Sequence, residues 1–122
     1  MCSNIVVHFP NLQLSYSYNG LLFRRDWKTN ESIRSSVNIK PNYFIEFEHD
    51  NNNLYIATWE EILAIDVKKD NSIWNTKLKR IMFNHPDFQL VSDSKGLRKL
   101  ILAENNTMMF INPKNGKFLK LI

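Results

Sequence analysis

Leu54 to Trp74 reads LYIATWEEILAIDVKKDNSIW. Two apolar runs, Leu54-Tyr55-Ile56-Ala57 and Ile62-Leu63-Ala64-Ile65, flank a short polar turn, and a charged turn then leads into Ser72-Ile73-Trp74. Runs of this length, rich in β-branched residues and bounded by Asn, Asp and Lys, are the pattern of paired strands. The best helical window, Trp59 to Val67, is broken by its β-branched residues and by the turn that opens at Asp66. Nowhere in the chain does helical spacing persist over three turns, so the reading is all-β.

The stretch is repeated. Moved back by forty residues it overlies LSYSYNGLLFRRDWKTNESIR from Leu14 to Arg34, and moved forward by forty-six it overlies LILAENNTMMFINPKNGKFLK from Leu100 to Lys120. Each copy opens on Leu and has a small fourth residue: Ser17, Ala57 or Ala103. A polar turn follows at Asn19-Gly20, Glu60-Glu61 or Asn105-Asn106, then a second run at Leu22-Phe23, Ile62-Leu63 or Met108-Met109. The next turn, DWKTNES, DVKKDNS or NPKNGKF, is the most specific element. The Asp or Asn at its head can accept bonds from backbone N–H groups two residues on, and Asn30, Asp70 and Gly116 sit where a left-handed residue is tolerated. A further run precedes each copy by about ten residues, in NIVVHF, YFIEFEH and DFQLVS. The count is three antiparallel units of four strands, about 4–36, 37–80 and 81–122, in a single domain over 1–122.

A four-stranded unit with a period of about 40 to 45 residues resembles a propeller blade. The middle copy is similar to the repeat of quinoprotein-type β-propellers with WD40-like blades, in which a strand runs into LxALDxxTGxxxW. Ile65, Asp66 and Trp74 stand at pattern positions. The first copy keeps Asp26 and Thr29 with Arg34 at the tryptophan position, and the third keeps Gly116 with Lys120 there. The resemblance implies a structural, packed role for Trp74. It does not carry over a quinone, because no matching ligand set is present, and no cofactor is expected. Closed propellers use four to eight blades. The expectation is therefore an incomplete or very small β-propeller, or one completed by a second chain, with a six-bladed homodimer as the natural closure.

Composition narrows the function classes. The 122 residues are 43% hydrophobic and 23% charged, an ordinary globular balance. No apolar run approaches the roughly 20 residues that span a bilayer, and MCSNIVVHFP lacks a basic region followed by a long apolar one, so the expectation is a cytoplasmic protein without a membrane partner. Cys2 is the single cysteine, which excludes an internal disulfide framework and a cysteine-rich zinc site. A net charge of +4 favours acidic partners.

The chain offers little for catalysis or metal binding. His8, His49 and His85 are scattered, without paired metal spacing. EHDNNN, from Glu48 to Asn53, lacks the alternation and central glycine of a calcium loop and reads as a polar hairpin turn. Glu60 and Glu61 are adjacent on a hairpin and point to opposite faces, and three glycines leave no phosphate-binding loop. The reading is a non-enzyme with no metal site.

Candidate binding residues are those that break the repeat. Arg24 and Arg25 stand where the other copies have Ala64-Ile65 and Phe110-Ile111. Either they mark the wet outer face of a terminal unit, or with Trp27 they form a cationic and aromatic patch of the kind enriched at interface hot spots. Trp59 occupies a turn where the other copies carry Asn19 and Asn105, and Lys77, Lys79 and Arg80 extend a basic stretch after Trp74. The function expected is a non-catalytic protein-binding module, in its sharpest form a toxin-neutralising immunity or inhibitor protein that occludes a toxin domain. The alternatives are a single-stranded nucleic-acid binder and a structural subunit that completes a ring by self-association.

Overall fold

The Leu54–Trp74 stretch forms three consecutive antiparallel strands, and the same meander is built twice more. A computed structural model of the protein describes residues 5–16, 21–37, 46–58, 60–78, 87–104 and 107–121. The first sheet consists of β1 (Ile5–Phe9), β2 (Leu12–Tyr16), β3 (Leu22–Asp26) and β4 (Ser32–Arg34). The second consists of β5 (Glu46–His49), β6 (Asn53–Ala57), β7 (Glu61–Asp66) and β8 (Asn71–Lys77). The third consists of β9 (Asp87–Ser92), β10 (Arg98–Glu104), β11 (Thr107–Ile111) and β12 (Phe118–Leu121). In every sheet the spatial order follows the chain, giving three antiparallel, four-stranded, propeller-blade-like units. Two compact units result, Met1–Tyr43 with the first sheet and Phe44–Ile122 with the second and third.

The turn between the third and fourth strands recurs with the same backbone bond, and its head side chain accepts from the N–H two residues on in the first and third copies and three residues on in the second. The head residue's carbonyl accepts from the N–H four residues on: Asn30 to Asp26 at 2.8 Å, Asp70 to Asp66 at 2.9 Å and Gly116 to Asn112 at 2.8 Å. Its side-chain oxygen accepts from Lys28 N–H at 2.7 Å, Lys69 N–H at 2.9 Å and Lys114 N–H at 2.9 Å respectively. The closing residues are left-handed, with φ of 62° at Asn30, 56° at Asp70 and 73° at Gly116. Asp and Asn head such turns because a short acceptor reaches the N–H groups that the turn leaves unpaired.

Strand pairing corrects the first copy's alignment. Tyr55 faces Ala64 in the second sheet and Ile101 faces Phe110 in the third, in agreement with the forty-six-residue spacing. In the first sheet Leu14 faces Arg24, so Leu14 corresponds to Tyr55 and the β1–β2 hairpin is displaced by one residue from the ungapped alignment. The cause is the β2–β3 connection, which places five residues between Tyr16 and Leu22 against four between Ala57 and Ile62. The third and fourth strands differ as well. A β-bulge falls between Ala64 and Ile65 in the second sheet and between Phe110 and Ile111 in the third, setting Trp74 opposite Ala64 and Lys120 opposite Phe110. The first sheet shows no such shift, and Arg34 lies opposite Phe23. Because a one-residue slip moves a side chain to the other face, Arg34 does not take the place of Trp74.

The second and third sheets pack face to face. Tyr55, Ala57, Ile62 and Ala64 meet Phe88, Leu100, Leu102, Met109 and Ile111 in one buried cluster, with Trp74, Leu78 and Leu90 against it. Full burial of each large aliphatic side chain is worth roughly 1.5–3 kcal/mol. The other face of β6 and β7, with Leu54, Ile56, Leu63 and Ile65, is buried too, which accounts for runs that are apolar at every position. Polar bonds fix the packing. Trp74 Nε1 donates to the Pro113 carbonyl at 2.8 Å, the Thr76 hydroxyl donates to the Gly116 carbonyl, and Glu48 Oε2 accepts from Leu90 N–H at 3.0 Å. Trp74 thus docks on the 112–116 turn of the third sheet. In the first sheet, Val7, Phe9, Leu14 and Leu22 are buried.

Candidate functional site

The two faces of the first sheet have opposite characters. Val7, Leu14 and Arg24 lie side by side on the buried face, while His8, Gln13 and Arg25 lie side by side on the other. The second face is unlike its counterparts. Leu54, Ile56, Leu63 and Ile65 in the second sheet, and Leu100, Leu102, Met109 and Ile111 in the third, are all buried. The corresponding positions in the first sheet are Gln13, Ser15, Phe23 and Arg25, of which none is buried. Val6 and Trp27, 41% and 44% exposed, add large apolar surface.

Trp27 is held at the edge of this face. It follows Asp26, whose side chain organises the turn, and its own N–H donates to the Asn11 carbonyl at 3.3 Å. Its ring stacks on His8, with centroids 6.1 Å apart and planes 11° from parallel. The Arg25 guanidinium lies 5.5 Å from the indole centroid, within the range of a cation–π contact. The same guanidinium donates to Asn30 Oδ1, by Nε at 2.9 Å and also by Nη2. Asn30 therefore both closes the turn and fixes the arginine. Arg34, exposed and opposite Phe23, is a diagonal neighbour of Arg25 on this face, about 7–8 Å away by sheet geometry.

Of the residues named from sequence, Arg25 and Trp27 come together. Arg24 does not join them: adjacent strand residues point to opposite faces, and it is half-buried between Leu14 and Ile33. The second arginine of the patch is Arg34, and the β3–β4 register was needed to find it. Lys77 ends β8 opposite Glu61 in the other compact unit, exposed. Trp59, Lys79 and Arg80 lie outside the described residues, as does His85.

A groove of about 670 Å³ lies between the second and third sheets, formed where the turns at 50–53, 93–97 and 112–116 converge. Asp50 organises its floor. Asp50 Oδ1 accepts from Asn52 N–H at 2.9 Å and Asn53 N–H at 2.8 Å, while Oδ2 accepts from the Tyr55 hydroxyl and from Arg98 Nη1, both at 3.1 Å. Burial, with the Asp50 carboxylate beside it, raises the Tyr55 phenol above its ordinary value, so it stays a neutral donor. The EHDNNN segment is the polar hairpin turn its composition indicated; its place in a groove came from residues about fifty positions away, which no local pattern reveals.

Among the described residues, no group of three or more His, Cys, Asp or Glu side chains is placed to hold a metal ion, and no helix is long and apolar enough to cross a membrane. Comparison with known proteins reports on the fold. No protein-family model and no curated protein matches the chain. A solved structure of an auxiliary nutrient binding protein from Bacteroides thetaiotaomicron matches with a TM-score of 0.61 at 17% identity, over 89% of this chain and 33% of that one. The chain thus spans about a third of that protein's length.

Proposed function

We propose that the protein is a non-catalytic protein-binding module that engages an acidic and aromatic face of its partner with the exposed face of its first sheet. One observation carries this: Trp27 is 44% exposed yet fixed between the His8 ring and the Arg25 guanidinium. Holding an indole in place before binding reduces the ordering cost of association, and Trp and Arg are the residues enriched in hot spots. Arg25 and Arg34 add positive charge in line with the +4 net charge, which speeds encounter with an acidic surface. The fold neighbour is itself named a binding protein, which supports a binding role and no particular ligand. A toxin domain neutralised by occlusion is the sharpest form of the reading.

The test is retention of partners from cell extract by the wild type and by Trp27→Ala, Arg25→Glu and Lys77→Glu, followed by affinity measurement on the identified protein. Loss of two hot-spot contacts weakens binding by about thirtyfold or more each, whereas Lys77→Glu, in the other compact unit, leaves it unchanged. A partner equally well held by all four proteins refutes the assignment. Steeply salt-dependent binding to single-stranded RNA, abolished by Trp27→Ala, would move the same face to nucleic acid.

A further inference from the structure

The groove of the second compact unit has a chemistry of its own. Arg98, Lys99 and Lys114 line it with a single carboxylate, Asp50. That carboxylate is already engaged, since its two oxygens accept four hydrogen bonds, from Asn52, Asn53, Tyr55 and Arg98. Lys99 and Lys114 have no ion pair among the described residues, and Arg98 uses one nitrogen of its guanidinium on Asp50 while its side chain remains 51% exposed. The groove is thus left positively charged, with donors that point at no protein acceptor. Its rim is apolar: Ile73 is 44% exposed, Leu97 61% and Leu119 50%. Ile73 and Leu119 occupy the same repeat position in β8 and β12, so two sheets each contribute an aliphatic side chain to the groove.

We infer that this groove binds a peptide segment of a partner protein in which an acidic side chain stands beside apolar ones. The carboxylate meets the cationic donors and completes the bonding that Arg98 leaves unused; charge-assisted bonds of this type are the stronger class. The neighbouring apolar side chains cover Ile73, Leu97 and Leu119. A small free carboxylate would satisfy the first requirement and leave the three apolar side chains wet, whereas a groove of about 670 Å³ accommodates several side chains at once. The floor is preorganised, because the Asp50 hydrogen bonds fix both the hairpin and Arg98 before any ligand arrives. This site is independent of the Trp27 face, which belongs to the other compact unit.

The experiment is selection of a displayed library of random hexapeptides on the intact protein, followed by synthesis of the enriched sequences and measurement of their Kd by fluorescence anisotropy. Enriched peptides carry Asp or Glu next to Leu, Ile or Phe, and exchange of that acid for its amide weakens them by about tenfold. Lys114→Glu and Leu97→Asp, both at exposed positions, each weaken the acidic peptide by about tenfold or more, and the first effect shrinks as salt is raised. Circular dichroism confirms that both variants fold. Trp27→Ala leaves peptide binding unchanged, so failure here and failure of the Trp27 face are separately visible. Failure to enrich any peptide, enrichment without acidic residues, peptides indifferent to both groove variants, or free acetate competing as well as the peptide overturns the inference.

Discussion

Gly116→Ala tests the docking of the second sheet on the third. Gly116 has φ +73°, and a Cβ there would lie under 3.0 Å from the Trp74 ring and the Thr76 hydroxyl. Two costs follow. An L-residue in the left-handed region costs about 1–2 kcal/mol, and forcing a methyl group into a filled contact costs typically 1–3 kcal/mol more. Gly96 supplies the control, since its φ is +82° but nothing lies within 4 Å of the added Cβ. Gly96→Ala carries the backbone cost alone, and the loss of unfolded-state freedom is common to both. The difference between them, about 1–3 kcal/mol, belongs to the Trp74–Gly116 contact. Urea unfolding followed by circular dichroism measures it as a lower midpoint for Gly116→Ala at an unchanged slope. In a Trp74→Leu background the excess should shrink, which a double-mutant cycle quantifies. Equal destabilisation by the two alanine variants would refute the docking geometry.

Other consequences are more local. Thr58 is buried, and its hydroxyl oxygen accepts from Glu60 N–H at 3.3 Å and Glu61 N–H at 3.1 Å, so Thr58→Val costs about 1–3 kcal/mol in the same urea assay. The raised Tyr55 phenol makes folded protein hold a proton that the unfolded chain releases above pH 10.0, so its contribution is intact below that pH and is lost as pH rises through the folded value. The stability advantage of wild type over Tyr55→Phe should therefore narrow on the alkaline side of pH 10.0, as read from urea midpoints at a series of pH values. Arg34→Trp places its indole on the face of Phe23 and Arg25, and should change stability by no more than about 0.5 kcal/mol and leave the ring open to acrylamide quenching. A shielded indole would mean that the first sheet carries the Trp74-type bulge.

The strands and their grouping were legible because each unit repeats its local chemistry. The Asp or Asn at the head of the fourth-strand turn and the left-handed residue four positions on are visible in a single copy and unmistakable in three. Register was less legible. One extra residue between Tyr16 and Leu22 shifts the first hairpin, and the bulge at Ala64/Ile65 is absent from the first sheet, yet neither changes the apolar pattern enough to betray itself. Both decide which face a side chain joins. That is why Arg25 was paired with Arg24 from sequence and stands with Arg34 in the structure. The groove was invisible for a different reason: Asp50, Leu97 and Pro113 read locally as ordinary turn and loop residues, and only the packing of two sheets brings them to one place.

The first sheet's divergence also bears on whether its exposed face is more than a cap. A solvent-facing sheet must replace the apolar quartet that the other two sheets bury, and Gln13, Ser15 and Arg25 meet that need, since polarity is all that solubility requires. Trp27 and Val6 do not meet it, being large apolar groups placed on the wet side. Nor does solubility explain why the indole is stacked on His8, crossed by Arg25 and tied through Asn30 to the turn, when an unrestrained polar residue would serve and would cost less order. Solvent exposure thus accounts for the polar residues of this face, and the fixed Trp27 is the feature left over. A fixed, half-exposed aromatic beside an arginine is the surface that our proposal gives to the partner, and it lies on the copy that has departed furthest from the repeat.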